Sequence, residues 1–414
     1  MKSSAICRKW LNSLPPIEGC LQKEQRIGRE LLFQKGMPSN KDEAWRLSNF
    51  KRLNNFLSLP VNISNKDIAS NVKSLFPKKD RDRIIIQPNK NPIINIQLPM
   101  GIEQLNDKEI EENIGKIVKS TNIKNDISVS LNQASNSNLL ALKIKSNVKQ
   151  SLEIVIPSIE AKSISTRIFL LIEEGAKLDL LQVLLGNNNS AQNHLIEIKL
   201  ESKVQLNHGL ISMGEGSDSS SICTVAVEQS EKSHYSLHSL YQGWNYARFE
   251  PRIIQKKGDA STTVKNLQVT KSKEQIATHS LIRFEGPYGK LDQLQKAVAS
   301  ESSHCIFNGS IEVPKNAQKT EAAQLSRNLL LSKRATIDTK PELEIVADDV
   351  RCTHGATVSQ LQDEELFYLL SRGIDNEHAN SLLLKGYYDE VISNFPKSAK
   401  KWNFIEKIVQ HIEK

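Results

Sequence analysis

The chain has 414 residues, 38% hydrophobic and 25% charged, with 18 Gly and five Cys. That length leaves material for two or three domains around a large core, and the balance excludes disordered, collagen-like and disulfide-scaffold classes. The formal net charge is +8, but the basic residues are interleaved with acids and form no stripe or nucleic-acid motif, so nucleic acid is not an expected partner. Membrane insertion is not expected either: Ile168–Ile172 is typical of the longest apolar runs, far short of the roughly 18 residues a span requires. The opening residues, Met1 to Trp10, lack the apolar stretch of a secretory signal, which predicts a cytoplasmic protein.

In chain order, Leu21, Ile27, Leu31, Leu32 and Phe33 set among charges predict a helix that stops at Gly36-Met37-Pro38. A second helical start is expected at Asp42-Glu43, where the helix dipole favours acids. Further on, Asn65–Lys73 reads as a helix, and Ile84–Ile86 and Ile94–Ile96 read as short strands. Residues 1–125 thus form an N-terminal helical and mixed region. Residues 126–357 carry short alternating runs at Leu152–Ile156, Lys177–Leu180, Leu195–Leu200, Lys203–Leu206, Ile222–Val227, Ile306–Val313 and Leu343–Val346. Period-two alternation turns one face of each run inward. No helical patterns are interleaved, which excludes a doubly wound sheet and makes the fold mainly β. A β-solenoid suits so long a run, although without a clean repeat a divided sandwich stays open on spacing alone. Residues 358–414 return to helix: Asp363–Leu370 ending at Gly373, then His378–Leu384, Tyr387–Phe395, and a tail striped by Trp402, Ile405, Ile408 and Ile412.

Motifs for catalysis are sparse. Gly286-Pro287-Tyr288-Gly289-Lys290 has the wrong spacing for a phosphate loop, with Leu291 where a hydroxyl should bind magnesium. Asp348-Asp349 reads as a solvated turn. Cys7, Cys20 and Cys223 read as small side chains without nearby partners, and adjacent His304 and Cys305 would point to opposite faces. Cys352-Thr353-His354-Gly355 is the exception. Residues two apart on a strand share a face, with Cα atoms roughly 6.5 Å apart. A thiolate and an imidazole so placed could hold one soft metal or touch an iron–sulfur cluster, and Gly355 would let the chain turn just after them. Taken alone, the pair is also compatible with a free-standing metal-binding protein or enzyme on a β-helix.

The surrounding residues narrow this. Ala317–Ala322, Leu329–Ser332, Pro341–Thr357 and Leu366–Ile374 resemble the SufB/SufD family of iron–sulfur cluster assembly scaffolds. Gly36-Met37-Pro38 with Asp42–Arg46 resembles the amino-terminal element of the SufD branch. The resemblance implies a right-handed parallel β-helix flanked by N-terminal and C-terminal helical domains. It also implies a complex with SufB and two copies of the ATPase SufC, which would hold the nucleotide chemistry, so this subunit would not itself be an enzyme. The carboxyl-terminal helical domain would meet SufC, with Glu365, Tyr368 and Arg372 as contact residues, while Phe367 and Leu370 are expected in the core. The carboxyl-terminal end of the β-helix would meet SufB, or a second copy of this chain when SufB is absent. His354 matches the family histidine implicated in assembling a transient cluster shared with SufB, and Cys352 the cysteine beside it, with Arg351 as a cation able to lower its pKa. The chain departs from the family pattern at Ala277, Phe284 and Leu291. Because solenoid stability is mostly local, loss of residues 359–414 is expected to leave the β-helix folded.

Overall fold

The computed structural model describes residues 5–61, 83–86, 98–121, 126–136, 138–215, 218–361 and 363–413. The helix expected at Asn65–Lys73 and the strand at Ile94–Ile96 lie outside the described residues. Two short strands, β1 (Arg83–Ile85) and β2 (Ile102–Gln104), precede the long ones. These begin with β3 (Asn138–Ile144), β4 (Lys149–Pro157), β5 (Ser163–Ile172), β6 (Lys177–Leu185), β7 (Ala191–Leu200) and β8 (Gln205–Met213). They continue through β9 (Ser220–Gln229), β10 (His234–Gln242), β11 (Tyr246–Gln255), β12 (Ser261–Thr270) and β13 (Gln275–Phe284). The last are β14 (Lys290–Ala299), β15 (His304–Val313), β16 (Glu321–Leu330), β17 (Thr336–Ile345) and β18 (Arg351–Ser359).

Successive long strands alternate between two nine-stranded sheets, β1-β4-β6-β8-β10-β12-β14-β16-β18 and β2-β3-β5-β7-β9-β11-β13-β15-β17. Among the described residues every pairing is parallel except β2 on β3. The result is a parallel β-solenoid, each coil contributing one strand to each sheet. The inward positions of both sheets meet in one elongated core that includes Ile154, Leu180, Leu210, Leu237, Ile168 and Ile198.

The turns explain why no repeat is legible. Lys177, Gln205, His234 and Ser261 stack in one line although 28, 29 and 27 residues separate them. At successive turns one residue takes a positive φ: Asn147, Gly175, Lys203, Lys232, Asp259, Tyr288 and Lys319. Its N–H donates to the neighbouring coil, as in Lys203 N to Glu231 O at 3.2 Å and Tyr288 N to Gln318 O at 2.9 Å. The inter-coil ladder therefore continues through the corners, and its hydrogen bonds offset the strain of placing non-glycine residues there. Backbone geometry recurs while residue type does not. Lys203, expected within an alternating run, is one of these corner residues, and the strand begins at Gln205.

Helices cover the outer faces. Helix α1 (Ala5–Asn12), α2 (Gln22–Lys35), α3 (Phe50–Ser58), α4 (Asp107–Asn113), α5 (Lys116–Ser120) and α6 (Ile127–Ser135) lie on the N-terminal side of the long strands in sequence. The second helical start comes later than Asp42-Glu43, which leads only into a short turn at Glu43–Trp45; α3 is capped by Asn49. Trp10, Leu53 and Phe56 pack with Ala191, Ile222 and Tyr246 of the β2-containing sheet. Every residue of α6 is buried, and Gly28 of α2 approaches it so closely that a Cβ there would meet Ala134 N at 2.5 Å. Ion pairs reinforce the junction: buried Arg167 contacts Glu197 at 2.6 Å and Glu24 at 3.1 Å.

The other sheet is covered by α8 (Asn376–Ile392) and α9 (Phe404–Glu413), after α7 (Asp363–Ser371). Two helices expected at His378–Leu384 and Tyr387–Phe395 are one, because Gly386 keeps helical backbone and does not break α8. Val155, Leu181, Val183, Ile211, Leu240, Leu267 and Val298 are buried beneath Leu384, Tyr388, Val391, Ile392 and Trp402. Lys296, itself buried, fastens α8 through Glu390 at 2.6 Å and the Tyr387 carbonyl at 2.8 Å. The C-terminal helices are therefore part of the solenoid's apolar cover.

Candidate functional site

Among the described residues the solenoid's last coil ends in two edge strands, β17 in one sheet and β18 in the other. Arg351 N donates to Thr320 O at 2.9 Å, so the odd-numbered N–H groups of β18 face β16. The N–H groups of Cys352, His354, Ala356 and Val358 consequently point to the free edge. On β17 the even-numbered donors are used inward, from Thr336 N to Ser303 O at 3.0 Å and Val346 N to Val313 O at 2.8 Å. Pro341 therefore stands on the outward side of β17, where it removes a donor.

Cys352 and His354 both lie on β18, two apart, on the face that turns into the solenoid. Cys352 stacks over Ala322 and His354 over Gln324. Cys352 is half-buried against the core and His354 is exposed, with no hydrogen-bond partner among the described residues. Partial burial raises the Cys352 thiol pKa. Burial outweighs any help from Arg351, which was expected to lower it. Gly355 makes no turn: it continues β18 opposite Leu325, and a Cβ would meet Leu325 Cδ1 at an ordinary 3.5 Å. Among the described residues no group of three or more His, Cys, Asp or Glu side chains gathers to hold a metal.

Beneath the pair the lumen is polar. Gln324 Nε2 donates to Gln293 Oε1 at 2.9 Å, and Gln293 Nε2 to Ser280 Oγ at 2.7 Å. Asn266 Nδ2 reaches Gln295 Oε1 and Thr278 Oγ1, each at 2.8 Å. Gln268 Nε2 shares Thr278 Oγ1 at 2.7 Å, and Thr339 Oγ1 joins Ser326 Oγ at 2.9 Å. Gln268 Oε1, Gln324 Oε1 and Asn328 Oδ1 are buried without a partner. Sequence reasoning missed this network. Its signal was the polar alternate set Gln324, Ser326 and Asn328, whose companions Leu325 and Leu329 face outward onto the C-terminal cover.

The remaining sequence candidates are dispersed. Glu365, Tyr368 and Arg372 are exposed, and the Arg372 guanidinium sits 5.3 Å from the Tyr368 ring centre. Phe367 and Leu370, expected in the core, are 72% and 40% exposed. Helix α7 rests on α8, which partly covers Leu366 and Leu369. Gly286–Lys290 is a corner leading into β14, not into the helix a phosphate loop needs. Asp348 is exposed, and Asp349 pairs with Lys319 at the turn before β18. Phe284 and Leu291 belong to the apolar lumen and Ala277 is buried, so these three positions carry no titratable group. Cys7, Cys223 and Cys305 are buried; burial raises the pKa of Cys223 and Cys305 to about 12. His304 donates or accepts with Gln275 at 2.9 Å and Asp338 at 2.6 Å, apart from Cys305.

Comparison with known proteins bears on most of the solenoid. Residues 155–387 match the SufBD core domain of the SUF system for FeS cluster assembly. An iron–sulfur cluster assembly SufBD family protein of Synechocystis is 37% identical over 204 residues, 49% of this chain and 45% of the relative. The chloroplastic protein ABCI7 of Arabidopsis thaliana is 34% identical over 234 residues, 56% of this chain and 49% of the relative. The iron–sulfur cluster assembly protein SufD of Escherichia coli is 35% identical over 156 residues, 37% of each chain. The chain spans about half the length of the first two of these relatives. Among the described residues no helix is long and apolar enough to cross a membrane.

Proposed function

The chain belongs to the SufBD core family of iron–sulfur cluster assembly proteins, and from that premise we propose that it is a non-catalytic scaffold subunit of the SufD type. It works in the cytoplasm with a SufB-type scaffold and the ATPase SufC to build and transfer clusters, which are cargo and not a resident cofactor. Residues 126–357 are the scaffold core, 358–414 the ATPase-binding region and 1–125 a helical region flanking the core. The observation that carries this reading is the juxtaposition of Cys352 and His354 with the unpaired edge of β18.

An iron–sulfur cluster is commonly held by four protein ligands, and this strand supplies two. The rest would come from SufB docked on the same edge; without SufB, a second copy of this chain could pair there. Neutral imidazole binds metal without losing a proton near neutral pH, which makes His354 the principal ligand and Cys352 the secondary one. Glu365, Tyr368 and Arg372, with the exposed Phe367 and Leu370 beside them, form the ATPase contact on α7.

Co-expression with the other scaffold and the ATPase tests this. The purified complex of His354→Ala should contain both partners yet retain markedly less iron and sulfide than the wild-type complex. Cys352→Ser should lower both more mildly. Unchanged iron and sulfide in His354→Ala, with cluster delivery at the wild-type level, would remove this residue from the site.

A further inference from the structure

Gln324 occupies the coil beneath His354 and is its direct partner in the β16–β18 register. Adjacent strands are about 4.8 Å apart, so the two side chains leave their backbones as neighbours in one inward-facing column. The Gln324 amide is fixed from below and across the lumen. Its Nε2 donates to Gln293 Oε1 at 2.9 Å, and Gln293 is held in turn by Ser280 at 2.7 Å. From the opposite sheet Gly309 makes room for it: a Cβ at that position would lie 2.5 Å from Gln324 Nε2 and 3.1 Å from its Cδ. Gly309 has no positive φ, so space and not backbone conformation is what its missing side chain provides.

This arrangement commits the nitrogen of the amide and leaves the oxygen over. Gln324 is 2% exposed, and its Oε1 is buried without a hydrogen-bond partner. A buried amide oxygen left unpaired costs about 1–3 kcal/mol. The ring of His354, in the next coil, also lacks a partner among the described residues. The two are register neighbours but are not hydrogen-bonded to each other in this structure, where Oε1 has no partner and the ring is exposed, so the bond between them forms only with the ring turned inward over Gln324.

We propose that Gln324 is a positioning residue for His354: its Oε1 accepts the Nδ1–H of the imidazole. That bond selects the tautomer whose Nε2 lone pair points to the open end of the solenoid, where a metal would approach. Ligating histidines elsewhere are oriented in this way by a carbonyl or carboxylate on the second ring nitrogen. Here a neutral amide does it, and the Gln293–Ser280 relay and the gap at Gly309 keep the amide from turning over. This rests on the assignment of His354 as a cluster ligand, but the hydrogen bond itself does not need metal to be seen.

The tautomer of His354 can be read by nitrogen-15 NMR of the histidine-labelled full chain at about pH 8.5, where an ordinary imidazole is neutral. The signal is assigned by its loss in His354→Gln. The wild type should be mainly the Nδ1–H form, the reverse of the Nε2–H preference of an exposed histidine. Gln324→Met, which keeps the bulk and loses the acceptor, should return the ring to mainly Nε2–H, whereas Gln324→Glu should keep Nδ1–H. Gly309→Ala, whose Cβ would crowd both the amide and the Phe307 ring, should fall between them. In the assembled complex, Gln324→Met should weaken iron retention about tenfold, with Gln324→Glu restoring it. A wild-type ring already mainly Nε2–H, or one whose tautomer ignores Gln324→Met, overturns the proposal, and this measurement stands even if a variant fails to fold. Should His354→Ala keep its cluster while the wild-type ring is Nδ1–H, the cluster assignment fails and the hydrogen bond survives.

Discussion

The two ends of the solenoid are built to different rules. One inward column runs Leu152, Leu180, His208, Leu237, Val264, Gln293, Gln324 and His354. At the first end it is mostly aliphatic, antiparallel β2 closes the sheet, and buried Arg167 ties α2 and the sheet together through Glu24 and Glu197. At the last end it is amides and an imidazole beneath unpaired edges. Aliphatic packing stabilises without regard to direction, since burial is proportional to area removed from water. An amide ladder stabilises less, because its hydrogen bonds replace bonds to water, but it fixes which atom points where. The molecule places its stability at one end and its orientation at the other.

The sharpest way to break that contrast is to strip the shared cover. Deleting residues 359–414 should expose Val155, Leu181, Ile211, Leu240 and Leu267 together, a patch large enough to drive association. Gel filtration and circular dichroism should then show aggregate in place of folded monomer. A soluble fragment with a cooperative melt would mean that the coils hold without their cover.

Smaller effects compare the ends within one column. Leu180→Ala leaves a cavity among fully buried aliphatics and should cost about 2–5 kcal/mol. Gln293→Ala, in the same column, breaks one link of the relay and should cost about 1–3 kcal/mol. Urea unfolding of the two variants measures both, and equal losses would erase the distinction.

Acid probes the middle coils most gently. Burial pulls His194 and His208 down to about 3, while in the unfolded chain each titrates near 6.5. The unfolded state therefore binds protons first. Stability is full above about pH 6.5 and falls as the pH drops toward 3, by about 2 kcal/mol for each histidine at pH 5. Tm measured from pH 7 to pH 5 should decline, and His208→Gln, beside Gln182 and Tyr235, should flatten the slope. A slope identical in that variant would clear His208 of any part in it.

The alternating runs made the strands legible, because Ile154, Leu180 and Ile198 mark inward positions by period two. The coil count was not legible, since corners are defined by backbone sign at Asn147, Lys203 and Tyr288 and not by a recurring residue. The Cys352-x-His354 pair could be placed on one face of a strand from spacing alone. Its polar support could not, because Leu325 and Leu329 look inward by hydropathy and are in fact outward, beneath the C-terminal helices. The same bias put Phe367 and Leu370 in a core that α7 does not have.

Pro341 has a consequence for how these molecules behave in a crowd. An open coil is a template: any chain presenting parallel strands could add to it, and the product would offer the same template again, as in fibre growth. At one pole antiparallel β2 interrupts that template in one sheet, and the other sheet begins with the short parallel β1. At the other, Pro341 gives β17 an interrupted row of donors while β18 keeps its own complete from Cys352 to Val358. A partner that needs one good edge can dock; a queue of identical solenoids, needing both edges on every addition, meets a missing bond each time. The proline acts as a chain terminator in the polymer sense, and it lets one end of the molecule be adhesive without making it self-propagating.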